Sequence, residues 1–468
     1  MQTSEATSGK AFLELLKQNR EVLIVGSGPV GIAVARRLAE RGLRVTVLEA
    51  GSAITEPPGS HIRNQRRFQQ DPDGYFAAIE RYLPLVTDPA KTSPLPGVNE
   101  SSLVGGQGIL WTNNCPRAAA FERWEVMTPG EWEQRYAEAE AMLQVLPTPS
   151  ANSRRAQRVR KRLQEALGDQ RRTVSDLPFS GKIFPSGEIH YNGPADILAA
   201  ATEEVRQRIT IHAGVRVTRL SITGSRVTGL EVETANHDRA LLEASTIFLA
   251  GGAIGTPRLL HRSGIRPAAL GRGTSFHVLF FGQVVLDADL CPAIGETDLA
   301  PRLYIPPTVD TPWQIMVLRD TCPLPASEKV ENPQHLLELQ AFLPVEFRDE
   351  NAFVIHDETN DEFRFGFSQV DHDRMRAMEA DVHALARQLG QWRRGCEGTW
   401  IPHGNAHLVG TCRMDRPGWE GVADTVGKVH GFDNLYLASV GLIPAPLAEN
   451  PTLSAVALAL KSCDQLVS

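Results

Sequence analysis

The sequence predicts an α/β chain. A nucleotide-binding unit on a parallel sheet is interleaved with an antiparallel-sheet domain that would receive a substrate. Three observations carry this expectation. The glycine turn Gly26-Ser-Gly28-Pro-Val-Gly31 stands between a short apolar run and an amphipathic segment near the start of the chain. A second strand-like run, Ser245-Thr-Ile-Phe-Leu-Ala-Gly251-Gly252, ends in glycines much later. Between about 275 and 370 the pattern is strand-like, which suggests an antiparallel sheet inserted into the α/β unit.

Taken in order, Glu21-Val-Leu-Ile-Val25 reads as a buried parallel strand, being short, apolar and β-branched. A helix is expected from Ile32 to Arg41, with Gly42 as its stop. Arg44-Val-Thr-Val-Leu-Glu49 is the next strand, and its acid falls 18 residues after Gly31. Gly26 permits the tight turn, Gly28 lets backbone approach a pyrophosphate, and Gly31 lets helix and strand pack closely. The helix N-terminus would face the phosphates, and Glu49 would bind the ribose hydroxyls. A lone GxGxxG is weak evidence. Strand, turn, helix and strand with an acid in place make this one strong. Its place at the start, with later chain returning to it through Gly251, favours FAD over NAD. Gly255-Thr-Pro257 is expected to open a helix, with Pro257 in its first turn.

Further on, a helix is expected from Pro129 to Leu146 and a charged one over 152–168. Ile209 to Thr234 reads as a meander of strands broken at Gly224-Ser225. Val278–Phe281, Gln283–Leu286, Gln314–Leu318, Leu336–Leu343 and Phe363–Phe367 read as strands of the inserted antiparallel sheet, and Arg374 to Leu389 as an amphipathic helix. The expected division is a discontinuous nucleotide-binding domain at 1–60, 205–270 and 400–468. Residues 61–204 supply a cofactor loop and linking helices, and 271–399 the substrate sheet. Such interleaving brings distant segments to one cleft.

Size and composition narrow the function. The chain has 468 residues, enough for a large core. Its net charge of −7 argues against nucleic acid or anionic membrane as a partner. The six cysteines are scattered without a CxxC pair, so no metal site is expected and free thiols in the cytoplasm are the expectation. The first 20 residues carry no apolar signal-peptide core, and no run is long and apolar enough to span a membrane.

The C-terminal part carries the chemistry. His407-Leu-Val-Gly-Thr-Cys-Arg-Met414 is followed, 43 residues after His407, by Asn450-Pro-Thr-Leu453. An imidazole beside a tight Gly410-Thr411 turn, and an amide at the start of a helix, form a candidate base and hydrogen-bonding partner. A lone histidine more often serves the core, and Asn450 has the simpler reading of a helix cap with Pro451 at the first position. Either way the helix dipole would point Pro451 and Thr452 at the cofactor. His403 is a lesser candidate. His190, His277, His356 and His372 read as surface or satisfied core residues. The acidic stretch Glu346 to Glu362 reads as a solvated loop rather than a cation-attracting surface.

These motifs, with the Gly105-Gly106 loop, Gly252–Leu260 with Ser263-Gly264, and Gly431–Leu437 before Asn450-Pro-Thr452, occur in family order. The chain resembles the glucose–methanol–choline (GMC) flavoprotein oxidoreductases, nearest the pyranose 2-oxidase and bacterial glycoside 3-oxidase branch. The resemblance covers both ends and the nucleotide-binding core and leaves the substrate sheet undecoded. It implies a Rossmann-type FAD-binding domain, with His407 as base, Asn450 as its partner, Gly105 and Gly106 in the cofactor loop and Thr112 beside flavin N5. Fungal pyranose oxidases have a histidine before the Trp-Thr pair and attach FAD through it. This chain has Leu110 before Trp111-Thr112, so non-covalent FAD is expected. The resemblance further implies oxidation of a secondary alcohol of a sugar or glycoside, with O2 or a quinone-type compound as electron acceptor. An aminoglycoside or cyclitol substrate, and the lyase chemistry of a few family members, are the alternatives. The sequence carries no signal for oligomeric state.

Overall fold

The computed structural model describes residues 21–84, 98–168, 172–184, 186–291, 298–319, 335–356, 361–401 and 407–466. The strand Val22–Val25 is apolar on both faces because both are covered: Val22, Leu23 and Ile24 are buried. It lies in the middle of a parallel sheet ordered Leu435–Leu437, Thr246–Leu249, Val22–Val25, Val45–Glu49, Ile209–Ala213. The strand order turns back at Val22–Val25. In open α/β sheets this switch point opens a crevice at the carboxyl ends of the strands, where ligands bind. Both glycine runs stand there. The Ala250 amide donates to the Val25 carbonyl at 2.7 Å and the Gly26 amide to Leu48 at 2.8 Å.

The helix Pro29–Glu40 starts from Gly28 with Pro29 in its first turn and no acid there, so its N-terminal amides stay open to an anion. The C-terminal helix Thr452–Leu466 packs against it. Asp464 ties the two helices together by accepting from Arg37 at 2.6 Å and from Arg135 of the helix Pro129–Leu143 at 2.5 Å.

The second sheet is antiparallel, in the order Gly390–Trp392, His277–Leu286, Leu336–Pro344, Gln314–Leu318, Leu303–Ile305, Ser175–Asp176. Thr399–Ile401 also pairs with His277–Leu286. Strand alternation divides its residues between two faces. Val278, Phe280, Val284, Leu337, Leu339, Ala341, Ile315 and Val317 pack with the helices Arg154–Leu167 and Gln369–Leu389. Burying a side chain such as Phe280 contributes roughly 1.5–3 kcal/mol. The other face carries Tyr304, Met316, Leu318 and Phe342, with Leu279 against them. This face looks towards the nucleotide-binding half, where Met316 meets Asn114 and Tyr304 meets Glu449.

Several element expectations need correction. Ile209–Ala213 is the outer parallel strand of the nucleotide sheet, and only Val215–Thr223 and Arg226–Thr234 form the hairpin around Gly224-Ser225. Alternation alone does not tell a parallel edge from a meander. The helix after the second glycine run spans Gly252–Arg262, so Pro257 is inside it rather than in its first turn. The glycines that end the strand hid the true start, and Pro257 removes one donor from the helix interior. Helix Pro129–Leu143 stops before Leu146, and Val145–Leu146 is a short strand. Only Phe363 and Arg364 of the Phe363–Phe367 run are strand, within Glu362–Arg364, which pairs with Ala352–Val354 in a separate ribbon. Val278–Phe281 and Gln283–Leu286 are one continuous strand. No helix among the described residues is long and apolar enough to cross a membrane. The first 20 residues and Cys322 lie outside the described residues, as does His403.

Candidate active site

The His407 segment is held by backbone pairing from two sides. Val409 exchanges amide–carbonyl bonds with Ser275 at 2.8 and 3.0 Å. Thr411, Cys412 and Met414 bond to Gly271, Gly441 and Leu442. Gly410 has φ 82°, and a Cβ there would lie 2.6 Å from the Gly273 carbonyl oxygen, so both conformation and space require glycine. In an antiparallel pair, residues two on either side of a bridge also face each other. The Ser275–Val409 bridge therefore sets His277 opposite His407.

The two imidazoles meet edge to face, their centroids 4.4 Å apart at 87°. His277 Nε2 is in hydrogen-bond contact with His407 Nδ1. On its other side, His277 Nδ1 lies 3.2 Å from the Leu447 carbonyl oxygen. His407 Nε2 lies 3.2 Å from Asn450 Nδ2. Phe342 packs beside both rings, 4.6 Å from His277 and 5.8 Å from His407 between centroids. The structure thus brings His407 and Asn450 together as expected from their motifs. It places His277 in the core with both ring nitrogens partnered, in keeping with a satisfied core residue, and adds that one partner is His407. No motif marks His277, because the contact depends on a strand register. His190 is half-buried on Asp196, whereas His356 and His372 are exposed.

Asn450 is buried, and its Oδ1 has no hydrogen-bond partner, so its side-chain oxygen does not cap the terminal helix. Glu449 points elsewhere, accepting from the Ala119 amide at 3.1 Å and the Tyr304 hydroxyl at 3.3 Å. Burial and the neighbouring Glu122 hold its carboxyl well above the usual range.

Burial pushes the His407 imidazole down to about 4 and His61, at the start of the turn Ile62–Asn64, to about 3. Burial, with the His407 charge second, holds His277 well below its ordinary value. All three are neutral at pH 7. The unfolded chain protonates them below about pH 6.5, whereas the fold resists until far lower. Their contribution to stability is complete above pH 6.5 and is lost as pH falls from there. The melting temperature is therefore expected to drop on acidification from pH 6.5 to 5, above the titration range of ordinary carboxylates. A constant value across that window contradicts buried neutral imidazoles.

The Trp111–Asn114 loop is fixed from several directions. His61 Nε2 is 2.8 Å from the Trp111 carbonyl oxygen, and Trp111 Nε1 donates to Asn192 at 2.9 Å. Asn113 adopts φ 61° and donates to the Ser180 and Asn192 carbonyls at 2.7 Å each. Thr112 Oγ1 accepts from Asn114 Nδ2 at 3.2 Å, and Asn114 also reaches Met316 on the substrate-side sheet. His61 is another residue the motifs did not reveal. Leu110 packs with the apolar cluster of Ile62, Phe68 and Ile109.

The dinucleotide cradle can be tested without its ligand. Glu49 ends its strand buried, with Oε2 accepting from the Ser27 amide at 3.0 Å and hydroxyl at 2.7 Å, and Oε1 from the Gly51 amide at 2.8 Å. The Ser27 hydroxyl in turn receives the Gly105 amide at 2.8 Å, docking the Gly105-Gly106 loop over the turn. A Cβ on Gly26 would meet the Ala250 carbonyl oxygen at 2.5 Å, just before Gly251, and one on Gly31 would meet the Gly26 oxygen at 2.2 Å. A Cβ on Gly28 would meet nothing within 4 Å. Two glycines are therefore required by the protein itself, and the third borders open space at a helix N-terminus. That is the arrangement a pyrophosphate needs.

The described acids of the Glu346–Glu362 stretch are largely paired. Asp349 bonds Arg272, Glu350 bonds Arg348, Asp361 bonds Arg258 and Glu362 bonds Arg364. The five described cysteines are free thiols, and the described residues hold no metal-ligating cluster.

Comparison with known proteins gives three regions of match. Sequence models described as GMC oxidoreductase match residues 197–279 and 357–459, and one described as FAD binding domain matches 19–69. The chain is 27% identical to a C-glycoside 3-oxidase of Microbacterium trichothecenolyticum, over 94% of this chain and 95% of that one. It is also 27% identical to a pyranose 2-oxidase of Tricholoma matsutake, over 96% and 93%. The solved structure of pyridoxine 4-oxidase from Mesorbium loti superposes with a TM-score of 0.65 at 18% identity, covering 96% of this chain and 99% of that one, which shows a shared fold.

Proposed function

Because the chain belongs to the GMC oxidoreductase family and is an FAD-dependent oxidoreductase, we propose that it oxidises a secondary alcohol of a sugar or glycoside to a ketone. The observation that carries the reading is the His407–Asn450 pair, 3.2 Å apart. The likeness to glycoside and pyranose oxidases supports a sugar substrate. The arginine-paired acids of the 346–362 stretch favour a neutral sugar over a cationic aminoglycoside.

In this reading Gly26, Gly28, Gly31 and Glu49 hold the adenosine diphosphate part of FAD. Gly105, Gly106, Thr112, Gly251, Pro451 and Thr452 line the remainder. The chain then divides into a cofactor domain at 1–60, 205–270 and 400–468, a cofactor loop and linking helices at 61–204, and a substrate sheet at 271–399. Ser175–Asp176 adds an edge strand to that sheet. FAD, when bound, accepts the hydride that leaves the alcohol carbon. Neutral His407 receives the hydroxyl proton at Nε2, and the Asn450 amide holds the substrate oxygen. The two electrons and two hydrogens lost by the alcohol are thereby accounted for, and O2 or a quinone-type compound takes the electrons on. Phe342 and the sheet face around it confine the reacting carbon, because position governs hydride transfer as strongly as basicity.

Leu110 stands where a covalent histidine would be, so FAD is held without a bond. Acid precipitation is expected to leave the yellow flavin in the supernatant, and flavin retained on the pellet contradicts this. The substrate class is tested by mixing enzyme anaerobically with D-glucose, methyl glucosides, an aryl C-glucoside and paromamine. Bleaching of the flavin by a neutral sugar or glycoside supports the reading. Bleaching by paromamine alone assigns the enzyme to aminoglycosides instead.

A further inference from the structure

We propose that His277 is a positioning residue that fixes the tautomer of His407, keeping His407 Nε2 unprotonated and ready to accept the substrate proton. The inference rests on His407 being the base.

A carbonyl oxygen only accepts, so the contact between Leu447 and His277 Nδ1 requires the proton of His277 to be on Nδ1. A neutral imidazole carries one N–H, and burial keeps His277 neutral. Its Nε2 is then a lone pair. The contact of that atom with His407 Nδ1 requires the proton of His407 to be on Nδ1. His407 Nε2 is left as the acceptor. At the far end the Asn450 amide stands 3.2 Å from His407 Nε2, and its NH2 group supplies the donor that an unprotonated Nε2 accepts. A chain of one-way hydrogen bonds therefore runs from the Leu447 carbonyl to the reactive nitrogen, and its direction is set by a backbone oxygen that cannot reverse.

Without an acceptor at Nδ1, a neutral imidazole is free to hold its proton on Nε2, where it cannot take another. When the substrate proton arrives, both nitrogens of His407 carry hydrogen and the Nδ1–H remains bonded to His277. No proton moves on to His277. The residue acts through His407 and does not touch the reacting atoms. The register that sets the two rings opposite each other is that of the Ser275–Val409 bridge.

The test combines spectroscopy with two substitutions. In FAD-loaded enzyme labelled with 15N-histidine, the His407 resonance, assigned by its loss in His407→Gln, is expected to show the proton on Nδ1. His277→Leu keeps bulk but removes the acceptor. It is expected to slow anaerobic flavin reduction by D-glucose, or by the sugar selected above, about 100-fold, with the dissociation constant changed less than about threefold. His277→Gln supplies a side-chain oxygen at similar reach and is expected to return the rate to within about tenfold of the parent. A wild-type His407 protonated on Nε2 overturns the inference, as does a His277→Leu enzyme that reduces its flavin at the parental rate. If His277→Leu does not fold, the wild-type spectrum and the glutamine variant decide. Normal reduction in His407→Ala overturns the base assignment itself. An inactive His407→Ala beside a fully active His277→Leu overturns the tautomer inference alone.

Discussion

His407→Ala is expected to slow reduction of the bound FAD by about 10³-fold at pH 7, with FAD content and melting temperature close to those of the parent. General-base catalysis contributes typically 10²–10⁴-fold, which sets the scale. The effect should be on the rate and not on retention of the cofactor. His407 is held by the backbone pairing of Val409, Thr411, Cys412 and Met414, none of which its side chain supports. Its ring contacts are His277, Phe342 and Asn450, none of which belongs to the Gly26–Gly31 turn. Because burial keeps His407 at about 4, the base is present throughout the neutral range. Rapid-mixing absorbance at the flavin band checks this, and a rate within a few-fold of the parent would remove His407 from the chemistry.

Gly28→Val is expected to give a folded protein that no longer retains FAD. The position has φ −63° and ψ 175°, which valine adopts without strain, and an added Cβ meets no protein atom within 4 Å. Such a side chain projects into the space at the N-terminus of the helix Pro29–Glu40, where the pyrophosphate would lie. Gly31→Ala serves as the contrast. There the Cβ would stand 2.2 Å from a backbone oxygen, so the loss should be of the fold. Circular dichroism separates the two variants, and flavin content measures the ligand. A Gly28→Val protein that purifies yellow with a full complement of FAD contradicts the placement of the phosphates.

The parts of this molecule legible in the sequence were those governed by local rules. The glycine turn, its strand and its helix follow from backbone conformation and close packing within a few residues. The His407 and Asn450 motifs were legible as a resemblance, because each is contiguous. His277 was not. Its role comes from pairing Ser275 with Val409 across more than a hundred residues, and a register of that kind leaves no periodicity in either segment. His61 was hidden for a similar reason, since its partner is a backbone carbonyl at Trp111. The strands carrying Tyr304, Met316 and Phe342 are buried on both faces, so no apolar–polar alternation marks which face meets the site. The helix Gly252–Arg262 was misplaced at its start because glycine signals both the end of a strand and a close approach to a helix.

The central claim is that this FAD enzyme removes hydride from a sugar carbon while His407 takes the hydroxyl proton. Its most direct test is anaerobic reduction of the bound flavin by a glycoside deuterated at its ring secondary carbons. The account predicts that the flavin bleaches, that deuterium slows bleaching several-fold, and that a keto-glycoside is formed in equal amount. A flavin that stays oxidised with every sugar and glycoside offered would contradict it.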